Sequence, residues 1–294
     1  MCIRDRRYIN KNSFVSKNVA GNPFPESAAD AMIKQDTAVF RVLNVGVSTF
    51  NDASTSYHHQ SVGGYHGAKL KRYKELIDSC FTPQIDNIRQ SFSAGDSIVR
   101  ATVTSQSAVN MMNAKYIIYN PEAPPLPNPG ALGNAWFVSS VRIVPDANAE
   151  IGAINSLDPS REVVVDKRFE DQVKNFKPAP DSTASIRLTQ YQPNHLTYQV
   201  KSSSSQLTVF SEVYYDKGWN AYVDGKEAPY FRCNYVLRGM VLPAGNHTVE
   251  FKFEPTVYSV GEKISLAGSI ILLALLGYLL YSGARKTTMQ ASAS

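Results

Sequence analysis

The sequence predicts an α+β protein: a mixed α/β domain, then an antiparallel β-sandwich, then one C-terminal transmembrane helix. Three observations predict it. Helical and strand-like segments alternate through residues 26–177, short β-branched runs recur between turn signals over 178–258, and an uncharged apolar run ends at Tyr281. The chain has 294 residues, 43% hydrophobic and 19% charged, which is long enough for two domains and excludes a disordered chain or a coiled coil. Net charge is +5 and no basic run reaches five residues, so there is no nucleic-acid footprint. The three cysteines (Cys2, Cys80, Cys233) form no CxxC, and neither a disulfide framework nor a zinc finger is signalled.

The elements follow in order. Ser27 and Asp30 form a capping box that opens a helix over 28–34. VFRVLNVGV, residues 39–47, is rich in β-branched residues and predicts a buried strand. Leu70, Tyr73, Leu76 and Ile77 share one face of a helix over 69–78. A helical turn over 109–114 leads into a strand over 115–119, and five prolines within 121–129 make a stiff loop. Residues 136–144 predict one strand, Asp146 caps a helix carrying Ile151, Ile154 and Leu157, and EVVVD over 162–166 is a short buried strand. Beyond Pro178, seven short strands separated by turn signals predict the sandwich. Asp224-Gly225 is a two-residue hairpin signal. Val249, Phe251 and Phe253 alternate with Thr248, Glu250 and Lys252, predicting one buried and one wet face.

Residues 264–281 (ISLAGSIILLALLGYLLY) carry no charge and suffice to span a bilayer core. About eight residues separate the run from the last strand, which sets the sandwich close to the bilayer. Arg285 and Lys286 follow the run with no acid nearby, so the positive-inside rule directs the C-terminus to the cytoplasm and the soluble part outside it. The opening MCIRDRRYINKNSF has no apolar stretch of a signal peptide, so the expectation is the C-terminal part of a longer membrane protein. The expected divisions are an N-terminal remnant over 1–25, the mixed α/β domain over 26–177, the sandwich over 178–258, the span over 262–283 and a cytoplasmic tail over 284–294.

The run from Val209 to Gly268 closely resembles the C-terminal end of YfhO-like bacterial membrane proteins. The matching positions are Tyr215, Gly218, Trp219, Ala221, Val223, Asp224 and Gly225, then Arg238, Gly239, Pro243, Gly245, His247 and Val249. FRVLN, FNDASTSYHHQSVGGYHGAKLKRY and MMNAKYIIYN resemble the same family's extracytoplasmic domain. The family is similar to polyprenol-dependent glycosyltransferases of the GT-C architecture, some of which are implicated in glycosylating cell-envelope polymers. The resemblance implies a catalytic carboxylate in a first outward loop with no counterpart in this chain. It also implies membrane lipid, a polyprenyl-phosphate sugar and envelope glycan as partners of the full-length protein. The alternative is a non-enzymatic envelope module that binds glycan or a partner protein. No cofactor is expected.

Residues 51–73 are the densest polar and aromatic stretch. Asp52, Tyr57, Tyr65, His66, Lys69 and Arg72 are the candidate substrate-binding residues, with Gly63, Gly64 and Gly67 allowing close backbone approach. Lys69 or Arg72 would pair a lipid phosphate and Tyr65 would stack on sugar; the bland alternative is an ordered connection with solvated basic residues. His58, His59 and His66 do not make a metal site, because adjacent histidines on a strand face opposite ways and no further ligand follows at zinc spacing. Glu170-Asp171 and Glu26/Asp30 are paired carboxylates only by proximity, and no catalytic residue is assigned. Trp219 with Tyr214, Tyr215, Tyr222 and Tyr230 reads as cross-strand packing rather than a carbohydrate platform. The sequon Asn246-His247-Thr248 is read as chance.

Overall fold

The computed structural model describes residues 24–179 and 181–291. Cys2 and most of the expected 1–25 remnant lie outside the described residues, as do the side chains of Arg285 and Lys286. Helix α1 (Ala28–Ile33) starts on the predicted capping box: Ser27 Oγ accepts from Asp30 N at 3.1 Å, and Ser27 N donates to Asp30 Oδ2 at 3.0 Å. Strand β1 (Arg41–Asn44) lies inside the predicted 39–47 run, and α2 (Ser54–His58) follows. The helix expected over 69–78 is the start of a longer rod. There α3 (Lys71–Leu76) runs through a π-helical turn (Ile77–Phe81) into α4 (Thr82–Ser91). Leu70 is the N-cap and 46% exposed, so it does not join the buried face of Leu76 and Ile77.

Two further helices, α5 (Asp96–Thr104) and α6 (Ser107–Met111), lead to β2 (Ala114–Ile118). Strand β3 (Leu126–Pro127) lies within the proline-rich loop, and the sheet order is β1-β2-β3 with β1 and β2 parallel. The single strand expected over 136–144 is two, β4 (Ala135–Val138) and β5 (Ser140–Val144), and they serve different sheets. The chain is pinned between them by Ser139 and Ser140, whose backbone amides both donate to Arg161 O at 2.9 and 3.0 Å. Strand β5 pairs in parallel with β6 (Glu162–Asp166) across α7 (Ala147–Ile154). Asp146 caps α7 as expected, accepting from the amides of Asn148 and Ala149. A 3-10 turn (Lys167–Phe169) and α8 (Glu170–Val173) end the first half.

Eight strands follow: β7 (Ser185–Gln192), β8 (His195–Ser202), β9 (Gln206–Val213), β10 (Trp219–Val223), β11 (Lys226–Glu227), β12 (Phe231–Cys233), β13 (Leu237–Leu242) and β14 (Gly245–Phe253). They form a five-stranded sheet, β11-β10-β14-β8-β7, and a four-stranded sheet, β12-β13-β9-β4. The two sheets face each other through Tyr198 and Phe251 on one and Phe210 on the other. Phe210 lies edge-on to each at 4.9 Å. The fourth strand of the smaller sheet, β4, comes from the first half of the chain. One core accordingly runs from Ile88 and Met111 through Val164 to Val209 and Leu237.

The Asp224-Gly225 hairpin has φ of 52° and 77°, the positive pair a type I′ turn needs, and joins β10 to β11. Val249 and Phe251 are buried as their alternation predicts, but Phe253 is 37% exposed. It is the last residue of β14, and its ring meets Trp219 at 5.4 Å instead of the inter-sheet core.

The described residues divide into two compact units, one of those from 24 to 214 with 221–251, the other of 215–220 with 252–291. Within the second, α9 (Thr256–Ala291) begins two residues after β14, ahead of the uncharged run it carries from Ile264. Thr256–Tyr281, 26 residues whose most apolar 18-residue stretch has mean hydropathy 2.1 and no buried residue, is long and apolar enough to cross a membrane.

Candidate functional site

The segment over 51–73 wraps one side of a cavity of about 340 Å³. Its apolar wall is Phe50, Val62, Tyr73, Met112 and Val213, and its polar groups come from Arg41, Ser56, His66 and Lys69. Glycine is required where the wall turns. A Cβ on Gly63 would sit 1.9 Å from the carbonyl oxygen of Thr49, and Gly64, at φ 119°, donates its amide to that same oxygen at 2.8 Å. Gly67 meets nothing within 4 Å, so close approach does not explain it.

Lys69 Nζ donates to the carbonyls of Phe50 at 3.1 Å and His66 at 3.2 Å, which holds the loop and leaves one of its three N–H groups for another acceptor. Tyr65 is 70% exposed at the wall of the cavity. Arg41 is immobilised: Nη1 donates to Met112 O, Ser211 O and Ser211 Oγ, and Nη2 lies 3.2 Å from Glu212. The Tyr73 hydroxyl donates to Val62 O at 2.5 Å, and burial pushes its pKa up to about 12.

The structure brings Tyr65, His66 and Lys69 to this cavity and directs the other three candidates elsewhere. Asp52 Oδ1 accepts from the amide and hydroxyl of Ser54 at the start of α2. Tyr57 packs on the rings of Phe24 and His58, at 5.4 and 5.0 Å. Arg72 lies over the Tyr235 ring at 4.6 Å and 3.6 Å from Glu150 Oε2.

That last contact belongs to a buried ion cluster the sequence reading missed. Glu150 is fully buried on α7. Its Oε1 accepts from Tyr235 N at 3.0 Å, and its Oε2 lies 3.6 Å from both Arg72 and Arg232. Burial raises its pKa against the opposing pull of Arg232, the Tyr235 amide and Arg72. Arg232 also approaches Asp166 at 3.6 Å, and the Arg168 guanidinium bonded to Asp166 holds that carboxyl down to about 2. The cluster ties α3, α7, β6 and β12 together. Its only sequence signal is an acid between Ala149 and Ile151, on a helix whose other spaced residues are apolar. Arg41 had a better signal, a lone cation inside a β-branched run.

His58 ends a helix rather than lying on a strand. Its ring contacts Phe24 O and Lys34, while His59 Nε2 lies 2.8 Å from Asp30 Oδ1 and burial lowers the His59 pKa. Among the described residues no three His, Cys, Asp or Glu side chains are grouped to hold a metal ion. Of the paired acids, Glu26 pairs with Lys34 at 3.1 Å and Asp171 with Lys174 at 2.7 Å. Burial pushes the Cys80 thiol up to about 11.

The motif residues that carry the resemblance build the sandwich. A Cβ on Gly239 would meet the Phe231 ring at 2.6 Å, and the Arg238 guanidinium lies over Phe251 at 5.0 Å. His247 Nδ1 lies 2.7 Å from Asp224 Oδ2, so the two halves of the motif touch. Residues 168–265, about a third of the chain, match the family model described as bacterial membrane protein YfhO. No curated protein matches the chain. Over the matched segment this is a YfhO-like membrane-protein domain, with one candidate span beginning inside it.

Proposed function

We propose that this YfhO-like chain is the extracytoplasmic domain and last membrane helix of a polyprenol-dependent glycosyltransferase acting on cell-envelope polymers. In this reading, the catalytic carboxylate belongs to outward loops N-terminal to the domain. It takes the proton from an acceptor hydroxyl as that oxygen attacks the sugar C1 and the lipid phosphate leaves. The cavity at Tyr65 holds the acceptor glycan on the exposed ring, and Lys69 offers its remaining N–H to a phosphate or sugar oxygen. The observation that carries the site is an exposed aromatic ring and a loop-clamped ammonium on one cavity wall. The outward orientation is supported by Arg285 and Lys286 following the apolar run.

The test is radiolabelled sugar transfer from polyprenyl phosphate by the full-length protein in membranes. Tyr65→Ala and Lys69→Gln should each lower transfer by about tenfold, the loss of one stacking or charge-assisted contact, at unchanged protein level. Undiminished transfer in both variants sinks the site. Glycan binding with no transfer by the wild type supports a binding module instead.

A further inference from the structure

A second cavity, of about 1230 Å³, lies within the smaller compact unit, between residues 215–220 and the start of α9. Gly218 makes it possible. At φ 108°, a Cβ there would sit 2.9 Å from the Phe253 ring and 3.0 Å from Pro255, and its carbonyl accepts from Glu254 N at 2.6 Å. The loop is thereby fastened to the end of β14 just where the helix leaves.

The depth of this cavity follows from helix geometry. Thr256 opens α9, and the uncharged run starts at Ile264, eight residues on, or about 12 Å along the axis at 1.5 Å per residue. The polar layer on one side of a bilayer is about 5–7 Å thick. Gly261 and Glu262, on the cavity's helical side, therefore lie at headgroup level when 264–281 spans the core, with Ser265 at the edge of that core.

Charge selects the occupant. Asp216, Glu254 and Glu262 line the cavity against one cation, Lys217, which has no ion-pair partner among the described residues. Such a site repels a headgroup of net negative charge. The rings of Tyr215, Tyr258 and Phe253 line it too, and aromatic faces beside carboxylates attract ammonium groups. We infer that this cavity binds the headgroup of a zwitterionic phospholipid, its ammonium toward Glu254 and Glu262 and its phosphate toward Lys217.

Trp219 reports on the site, because its ring lies 5.4 Å from that of Phe253, while the other tryptophan, Trp136, is buried in the larger unit. The full chain in detergent micelles is titrated with dioctanoyl phosphatidylethanolamine and, separately, dioctanoyl phosphatidylglycerol, following tryptophan fluorescence. Phosphatidylethanolamine should bind about tenfold more tightly, the worth of one ammonium–carboxylate contact. The Glu254→Gln/Glu262→Gln double variant should lose that preference. Glu262→Gln alone, on an exposed helix face that tolerates the change, should reduce it, and Lys217→Gln should weaken both lipids. Equal affinity for the two lipids in the wild type, or a preference unchanged in Glu262→Gln and the double variant, overturns the inference.

Discussion

Tyr198→Phe should stabilise the protein, against the usual direction for a core substitution. Tyr198 on β8 is fully buried between the sheets, edge-on to Phe210 at 4.9 Å and to Phe251 at 6.3 Å. Its hydroxyl finds no hydrogen-bond partner among the described residues, and burial raises its pKa far above the ordinary phenol value. A buried hydroxyl stripped of water without a new partner costs about 1–3 kcal/mol. Removing the oxygen keeps both ring contacts. Even a retained void of about 15 Å³ costs only about 0.4 kcal/mol at 24 cal/mol per Å³. The net gain is about 1–2 kcal/mol, which for a unit of this size raises the unfolding midpoint by about 2–8 °C. Circular dichroism of the detergent-solubilised chain, heated at one scan rate for both proteins, measures it. A midpoint lowered by the substitution, with the far-UV spectrum unchanged, would mean the hydroxyl is bonded and refute the reasoning.

The sandwich supplies two sharper contrasts. Phe251→Ala removes a fully buried ring and should cost about 3–5 kcal/mol. Phe253→Ala, two residues on, should cost under about 1.5 kcal/mol because its ring is partly exposed, and equal losses in urea titration would contradict the placement of β14. His247 offers one ring nitrogen to Asp224 at 2.7 Å and the other to Ala244 O at 3.2 Å, and Asp224 first, then that carbonyl, raises its pKa. A raised folded-state value stabilises below the unfolded pKa of about 6.5 and is lost as pH rises through the folded value. The wild type should therefore lead His247→Gln by its full margin at pH 5.5 and lose that lead toward pH 9; a margin constant with pH would refute the assignment.

Local chemistry was legible in the sequence, and non-local pairing was not. The capping box at Ser27 and Asp30, the Asp146 cap and the Asp224-Gly225 turn are each decided within four residues, and all three fold as their chemistry predicts. The division at Ser139 was invisible because both flanking segments are rich in residues that favour strands, aromatic before it and β-branched after, and the separate sheets that receive them are fixed by β9 and β6, later in the chain. The same division runs through the site. The glycines at 63 and 64 announced a close turn, and Tyr65 with Lys69, which follow them, line the cavity beside that turn. Arg72 shares the helical face of none of these groups, and only the position of Tyr235, brought in by the distant β12–β13 connection, decides that its guanidinium turns toward Glu150.

The matched family segment and the candidate glycan site are nearly disjoint, and this bears on what each one does. Gly239 under Phe231, Arg238 on Phe251 and His247 on Asp224 build the sandwich, and Gly218 lies under Phe253 within the smaller unit. Those contacts are satisfied internally, and none of these residues lines the cavity at Tyr65, to which the matched segment contributes Val213 alone. The anchor of the wall is instead Arg41, whose guanidinium reaches across to the Ser211 carbonyl at 2.8 Å and so locks β1 of the first half to β9 of the sandwich. In the proposed reading the sandwich is the scaffold and the glycine-rich loop carries specificity, with the half-buried Arg41 joining β1 to β9 beside the cavity that loop lines. On that reading, changes of acceptor are accommodated over 50–73 without disturbing the matched residues that build the sandwich.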